Sequence, residues 1–382
     1  MPAVLARSGR TRKVCAVAIV AGALTLTACS SSGNKPSSSG GSNTGASSSG
    51  ASTKLTDISI VGSFNGDFGL AEIAQQAGFF KAQGLNAKLV NSAGFSSANL
   101  QSAFLSGQYT FEIGAAPSEI LAIVAGGKFK AVMAMDLGQQ QQIAIDGKVA
   151  AKHNIPNPGP DATPAQTEAQ LAALKGSGIS IGTSNKSSPS YNQMAAVFKQ
   201  YGIDTNSDVH IKFLGNTSSL PPALSAGKID AFSVPPPVSD VKGATVINLG
   251  NVEPVHSATA LYLMALSSTI SGKPDTVQKT VNALVQAWQY AQQNPDKAQT
   301  MLGDIYNSYK PKATDPEAGV VFKDDARYWV TPDMSQSGFT NALNILETGQ
   351  GKSINITYDQ MVDDSFVQKA ATDLNITLPS TN

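Results

Sequence analysis

The chain has 382 residues, of which 27 are basic, 27 are acidic and only 14% are charged in total. At roughly 150 residues per domain, this length predicts about two domains. The formal net charge of zero excludes the class of strongly basic proteins that bind nucleic acid through charge alone. Two cysteines, Cys15 and Cys29, are too few and too early for a disulfide scaffold or a thiolate metal site, so we expect neither a metal nor a cofactor.

The N-terminus is typical of a secretory signal. A basic cluster from Arg7 to Lys13 precedes an uncharged stretch from Val14 to Ala28. This stretch is shorter than the roughly 20 apolar residues that a membrane-spanning helix needs. It runs into Leu-Thr-Ala-Cys at positions 26–29, which resembles the bacterial lipobox. We therefore predict a signal peptide over residues 1–28 and a lipid, palmitate included, on Cys29.

The next segment, residues 29–53, consists mainly of Ser and Gly and contains no large apolar side chain. Such a composition cannot bury enough surface to fold, so it predicts a disordered tether. Loss of residues 1–28 would remove four basic side chains and leave 23 against 27 acidic ones. The mature protein is thus predicted to be slightly acidic and held by its lipid on the extracytoplasmic face of a bacterial cell membrane.

The body begins with an alternation of strands and helices. The sequence predicts a strand at Asp57–Val61, a helical apolar stripe from Leu70 to Ala77, and strands at Ala87–Val90 and Tyr109–Ile113. A second helical stripe runs from Leu100 to Phe104. This order is a βαβαβ unit, which predicts an α/β fold with a largely parallel sheet.

The same order returns about 120 residues later. The strand at Ile179–Ser184 repeats the one at Ile58, and a helical stripe from Met194 to Tyr201 follows it. Phe80-Lys81 is echoed by Phe198-Lys199, and Gly107 by Gly227. We interpret the two copies as two lobes with a ligand cleft between them.

The segments between and after the copies predict how the chain moves from one lobe to the other. A strand at Lys130–Asp136 leads into a crossover through Gly138 to Gln142, and an apolar strand at Ala258–Leu266 returns. We therefore assign residues 54–137 to the first part of lobe 1 and residues 138–250 to lobe 2. Residues 251–382 are assigned to the return to lobe 1 and to C-terminal helices, in which Trp288 and Trp329 are expected to pack in the core.

Three stretches carry a resemblance to a known family. They are Ala77–Leu85, Ala103–Gly114 and, in the second copy, Leu174–Ile181 together with Ala226–Ala231. These stretches resemble the substrate-binding proteins of ABC importers of the nitrate, sulfonate and taurine type, which include binders of thiamine pyrimidine precursors. Thr110 stands where that family usually has Asp, whereas Asp230 keeps the pattern.

The resemblance implies a two-lobed periplasmic-binding-protein-like fold of type 2 that closes on its ligand and hands it to an ABC permease with its ATPase subunit. It implies a monomer that binds a small-molecule solute and catalyses no reaction. Two other classes stay open at this stage: an extracytoplasmic sensor and a lipid-anchored enzyme. No catalytic constellation in the sequence favours the enzyme.

In open α/β sheets, ligands bind beyond the carboxyl ends of the strands, beside helix N-termini. Members of the family use the loops at these positions. The resemblance carried onto this chain predicts the following ligand-binding residues: Phe64, Asn65, Phe68, Gly94, Phe95, Ser96 and Ala116 in lobe 1, and Thr183, Ser184, Ser187, Ser188, Tyr191, Asn216 and Ser233 in lobe 2.

The chemistry of these loops favours a small polar or zwitterionic solute. Hydroxyl and amide groups dominate, no Arg is present, and Lys186 is the one obvious cation in the loops. We expect a sulfonate, taurine or nitrate-like solute. Because Asp67 and Asp136 could receive an amine or a ring N–H, a pyrimidine precursor or similar heterocycle stays an alternative.

Overall fold

The computed structural model describes residues 54–62, 68–92, 95, 97–138, 141–159, 161–186, 188–234, 243–309, 326 and 328–379. The signal peptide, Cys29 and the tether predicted from the sequence lie outside the described residues. The described part contains ten strands, namely β1 (Thr56–Gly62), β2 (Leu85–Asn91), β3 (Phe111–Ala115), β4 (Phe129–Leu137), β5 (Gln142–Ile145), β6 (Ile179–Thr183), β7 (Val209–Phe213), β8 (Ala231–Val234), β9 (Thr245–Asn248) and β10 (Thr259–Leu266).

Helices connect the strands and fill the C-terminal third. Within the described ranges they are α1 (Gly69–Gln76), α2 (Phe79–Ala82), α3 (Ser97–Leu105), α4 (Ala116–Val124), α5 (Gly147–Lys152), α6 (Pro164–Leu174), α7 (Pro189–Gln200), α8 (Leu220–Ser225), α9 (Ser267–Gly272), α10 (Pro274–Gln293), α11 (Pro295–Tyr309), α12 (Gln336–Gln350), α13 (Tyr358–Met361) and α14 (Ser365–Asp373). Over the residues that are described, none of these helices has the length and apolar character to cross a membrane.

The strands form two five-stranded sheets. The first has the order β2-β1-β3-β10-β4 and the second the order β7-β6-β8-β5-β9. In each sheet, the first strand of the repeat pairs in parallel with the next two, while β10 and β5 run antiparallel to their neighbours. The two sheets confirm the predicted two-lobed α/β fold.

The chain passes between the sheets twice. It leaves the first sheet after Leu137 and enters the second at Gln142, then leaves the second after Asn248 and returns at Thr259. The sequence placed Gln142 in the crossover. In the structure it begins β5, because it pairs with Val234 of β8 on one side and with Asn248 of β9 on the other. The short polar-to-apolar run Gln142–Ile145 carried too weak a periodic signal to be predicted as a strand.

Most predicted elements are present, but several boundaries differ from the predicted ones. The strand predicted at Tyr109–Ile113 instead spans Phe111–Ala115. Gly107 adopts a left-handed conformation with φ of 79°, so the turn continues into the residues that were expected to open the strand. Trp288 and Trp329 are both buried, as predicted, and the Trp288 indole Nε1 donates to the Trp329 carbonyl oxygen at 2.9 Å.

The repeat extends to individual side chains between strands. In the second sheet, the backbone N and Oγ of Ser180 both donate to Asp230 Oδ2, at 2.9 and 2.6 Å, and the Asp230 backbone N donates back to Ser180 Oγ at 3.1 Å. In the first sheet, Ser59 N donates to Thr110 Oγ1 at 3.1 Å and Thr110 N donates to Ser59 Oγ at 3.0 Å. The family's Asp position therefore joins two strands, and Thr110 performs this role in the first sheet with a neutral group.

This pairing predicts unequal costs for removing the two side chains. Asp230→Ala should lower the free energy of unfolding by about 1–3 kcal/mol, because hydrogen bonds to a charged acceptor are the stronger kind. Thr110→Val, the matched variant that removes a neutral hydroxyl, should lower the free energy of unfolding by about 1 kcal/mol. Urea unfolding at neutral pH measures both variants, and an equal loss in the two would contradict the charge-assisted role of Asp230.

The pH dependence of the free energy of unfolding gives a second test of the role of Asp230. Burial opposes ionisation, but hydrogen bonds from the Ser180 hydroxyl and backbone outweigh it and lower the pKa of Asp230 from its usual value. A depressed native pKa stabilises the fold above the unfolded pKa of about 4, and this contribution disappears as the pH falls through the native value. The difference in the free energy of unfolding between wild type and Asp230→Ala should therefore shrink below about pH 4.

Candidate functional site

The strand ends of each sheet place the starts of several helices at one edge. In the first sheet α4 begins directly after β3, and in the second sheet α7 follows β6 after a short loop. The antiparallel strands bring their beginnings to the same edges, since Thr259 pairs with Leu137 and Gln142 pairs with Val234. The predicted ligand-binding loops therefore share the edges at which the two crossovers connect the sheets.

The described residues include nine of the fourteen predicted site residues. The other five, Phe64, Asn65, Gly94, Ser96 and Ser187, lie outside the described residues. Their role as ligand contacts stays a prediction.

In the first lobe, the predicted residues occupy different environments. Phe68 is fully buried and packs against Gly62, where a Cβ would lie 2.7 Å from the Phe68 ring. Ala116 is the buried first residue of α4. Phe95 is 42% exposed, and its backbone N donates to the Ser92 carbonyl oxygen at 2.9 Å. Phe95 thus offers an accessible ring, whereas Phe68 supports the sheet from inside the core.

In the second lobe, hydroxyl groups gather around the start of α7. Ser188 caps this helix, since its Oγ accepts from Tyr191 N at 3.2 Å and donates to the Asn185 carbonyl oxygen at 2.8 Å. The buried Thr183 Oγ1 lies 3.3 Å from Ser188 Oγ. Ser184 is half-buried, and its carbonyl oxygen accepts from Gly215 N at 2.8 Å.

The remaining predicted residues of this lobe divide between local structure and the site edge. Asn216 caps a short 3-10 turn, where its Oδ1 accepts from Ser219 N at 2.9 Å and from Ser219 Oγ at 2.8 Å. Ser233 is buried in β8, and its hydroxyl has no hydrogen-bond partner. Tyr191 meets Phe213 edge to face with ring centroids 5.2 Å apart. Phe213, which is 48% exposed at the end of β7, was missed from the sequence.

A small cavity lies where the helix starts of the two lobes approach each other. Its volume of about 20 Å³ is enough for one water-sized group. Its walls come from α4, α7, the return crossover, β10 and α12, and consist of Pro117, Pro189, Asn192, Gln193, Val255, Ala258, Thr259, Ala260, Ala342 and Ile345. No ionisable side chain is part of this lining.

Asn192 and Gln193 were not predicted as site residues from the sequence. Both lie on the buried side of α7, together with Met194, Val197 and Phe198. A polar pair within an otherwise apolar buried face was the signal that could have found them, because buried polar side chains need partners. Next to them, Ser190 Oγ donates to Gln141 Oε1 at 2.5 Å and so joins α7 to the first crossover.

Two buried carboxyl groups lie on β3 and α4, which follow each other directly in the chain. Glu112 on β3 and Glu119 in the first turn of α4 are both at most 2% exposed. Burial raises the pKa of Glu112 to about 7. Burial and the charge of Glu112 raise the pKa of Glu119 well above its usual value, against a smaller opposing effect of Gln101. The two carboxyls therefore favour their protonated, uncharged forms, and Gly114 makes room for Glu119, whose Oε1 would lie 2.3 Å from a Cβ there.

Most of the body of the chain matches the model of a known protein family. Residues 69–303 match the model of the NMT1-like family. No curated protein sequence matches the chain significantly.

Solved structures with a similar fold cover most of the chain. The ligand-binding component of an ABC-type import system from Staphylococcus aureus, which holds zinc, has a TM-score of 0.61 at 15% identity over 83% of this chain and 99% of its own. The periplasmic sulfonate-binding protein SsuA from Methylobacillus flagellatus has a TM-score of 0.60 at 15% identity over 86% and 99%. The periplasmic nitrate-binding protein NrtA from Synechocystis has a TM-score of 0.59 at 13% identity over 86% and 92%.

These likenesses show that the chain has the two-lobed periplasmic-binding-protein fold, as the sequence predicted. Among the residues that the structure describes, no group of three or more His, Cys, Asp and Glu side chains is placed to hold a metal ion.

The buried pair predicts a stability that falls as the pH rises. Between the unfolded pKa of about 4.5 and the native value of about 7, the folded chain keeps a proton on Glu112 that the unfolded chain has released. Glu112→Gln does not titrate at this position. Between pH 4.5 and pH 8, its free energy of unfolding should therefore rise by on the order of 3 kcal/mol relative to that of wild type.

Urea unfolding of both proteins at pH 4.5 and pH 8 measures this gain. Asp161→Asn, which removes an exposed carboxylate, is the control and should show no such change. A difference between wild type and Glu112→Gln that is the same at both pH values would contradict a raised native pKa.

Proposed function

Because the chain belongs to the NMT1-like family, we propose that it is the extracytoplasmic solute-binding component of an ABC importer. The observation that carries the proposal is the meeting of α4 and α7, from different lobes, around one cavity beside the crossovers. Helix starts supply free backbone N–H groups, which suits the capture of a small polar molecule. The sulfonate, taurine or nitrate-like solutes expected from the sequence and a pyrimidine-like heterocycle are the two solute classes for this site.

The proposed mechanism is hinge closure. A solute that contacts both lobes favours the closed form, and a permease that recognises this form receives the solute. The support is topological, since the described elements show two chain crossovers between the sheets, one between β4 and β5 and one between β9 and β10. Small changes of backbone angle in two such segments are enough to move one lobe against the other.

We further propose that a lipid on Cys29 anchors the protein and that the Ser- and Gly-rich segment after it is the tether. The support is the order of the sequence: basic cluster, apolar run, Leu-Thr-Ala-Cys and tether. The function needs no chemical step, and the similar proteins of known fold that are named above are binding proteins rather than enzymes.

Hinge closure predicts that a bound solute makes the molecule more compact. A panel of sulfonates, nitrate, taurine and pyrimidines should include a solute that lowers the radius of gyration in X-ray scattering. At about 100 times its dissociation constant, the same solute should raise the free energy of unfolding by roughly 2.7 kcal/mol. Scattering profiles that are identical with and without a solute that binds would contradict hinge closure.

Lipid anchoring predicts a change of cell fraction. Cys29→Ser should move the protein from the membrane fraction to the soluble fraction, because the acceptor of the lipid is lost. Cys15→Ser is the matched control, since this residue lies within the predicted signal peptide, and it should leave the protein in the membrane fraction. Membrane retention of Cys29→Ser would show that another feature anchors the chain.

A further inference from the structure

Asn192 is a buried amide whose polar atoms are both unsatisfied. The residue is fully buried on α7, and neither Oδ1 nor Nδ2 has a hydrogen-bond partner among the described residues. An unsatisfied buried polar group lowers stability, and two such atoms on one side chain are unusual. Buried polar groups are bonded in the great majority of cases, and an exception requires an explanation.

The neighbouring Gln193 adds a second unsatisfied group to the same cavity. It is 8% exposed, and its Oε1 has no hydrogen-bond partner in the part of the chain that the structure describes. Asn192 and Gln193 line the cavity together with Pro117 of α4, so the unsatisfied amides of one lobe face a helix start of the other. They offer a donor and acceptors at the place where a solute would contact both lobes.

Packing against α12 fixes the position of the Asn192 amide. A Cβ at Gly349 would lie 2.0 Å from Asn192 Oδ1 and 2.6 Å from its Cγ, so only a glycine admits this side chain. The amide is therefore held in place before any solute arrives, which reduces the entropy cost of binding. A fixed amide presents its donor and its acceptor in a set arrangement.

Among the described residues, the cavity lining provides no charge that could balance an anion, since it contains no Lys, Arg or His. Both helix starts carry a proline in their first turn, which removes one backbone donor from each. A buried ion without a partner is far more costly than a buried neutral group with matched hydrogen bonds.

The cavity of about 20 Å³ holds only a water-sized group, so the lobes must move apart to admit a solute. We propose that Asn192 and Gln193 then bind an uncharged donor–acceptor group of the solute, such as a carboxamide, lactam, urea or sulfonamide, and discriminate against oxyanions. This inference rests on the proposed function and narrows its solute to the neutral class, away from sulfonate and nitrate. Asn192 Nδ2 donates to the carbonyl or sulfonyl oxygen of the group, while Asn192 Oδ1 and Gln193 Oε1 accept from its N–H.

Pairs of probes that differ mainly in charge test the inference on the full-length protein. The pairs are urea and nitrate, methanesulfonamide and methanesulfonate, and nicotinamide and nicotinate. Calorimetry should find binding for at least one neutral member, with its anionic partner at least 100-fold weaker. An anion that binds as well as its neutral partner would overturn the inference and leave the proposed function intact.

Variants of the two amides test their role with the neutral probe that binds. Asn192→Leu keeps the shape and removes both polar atoms, so it should weaken binding at least tenfold without lowering the melting temperature. Gln193→Leu is the second variant, should Asn192→Leu fail to fold. Gln286→Leu on α10 is the matched control, because Gln286 Oε1 is also buried and unsatisfied but does not line the cavity.

The outcomes separate the explanations. Unchanged affinity in both Asn192→Leu and Gln193→Leu would show that these amides hold only structural water, and the inference would be wrong. If none of the six probes binds, the inference is likewise wrong. The proposed function is then judged by the broader solute panel and scattering experiment, whose compaction would uphold it alone.

Discussion

Tyr328 joins both connections between the two sheets. Its carbonyl oxygen accepts from Leu137 N at 3.0 Å at the start of the first connection, and its hydroxyl accepts from Asn248 Nδ2 at 3.0 Å at the start of the second. A Cβ at Gly250 would lie 3.2 Å from the Tyr328 ring, so the second crossover passes close beside it. The relative placement of the lobes therefore depends on a third segment of chain, which is far from either crossover in sequence.

Helix α12 extends this contact from the crossovers to the second lobe. Gly338 and Gly349 lie at opposite ends of one buried face of the helix. A Cβ at Gly338 would lie 2.5 Å from Thr259 Oγ1 at the start of β10, and one at Gly349 would meet Asn192 on α7. The C-terminal segment that the sequence assigned to the first lobe thus also packs on the second. When the lobes move relative to each other, either α12 moves together with α7 or α7 slides across the buried face of α12 that carries Gly338 and Gly349.

Local signals predicted the strands of the first sheet, several helices and the two-lobed fold, because periodicity and glycine punctuation depend on neighbouring residues, whereas β5 of the second sheet was missed. The equivalence of Ser59 and Thr110 with Ser180 and Asp230 was partly visible as a repeat. The site was less predictable. Ser188 and Asn216, chosen for their hydroxyl and amide groups, cap a helix and a 3-10 turn, whereas Asn192 appeared to be an interior helix residue. Its environment is created by α12, which begins 144 positions later and leaves no trace near Asn192 in the sequence.

The cavity between the lobes combines features that each lower stability. The amides of Asn192 and Gln193, which are unsatisfied within the described residues, lie beside a close approach that only Gly349 permits, while the surrounding core is apolar. A fold selected for stability alone would replace these polar groups by apolar ones of similar shape, as it does elsewhere on α7 at Met194 and Val197. Local conflicts that persist within an otherwise consistent core are characteristic of functional sites. The polar, uncharged lining of this cavity fits the neutral donor–acceptor group that we propose for the solute.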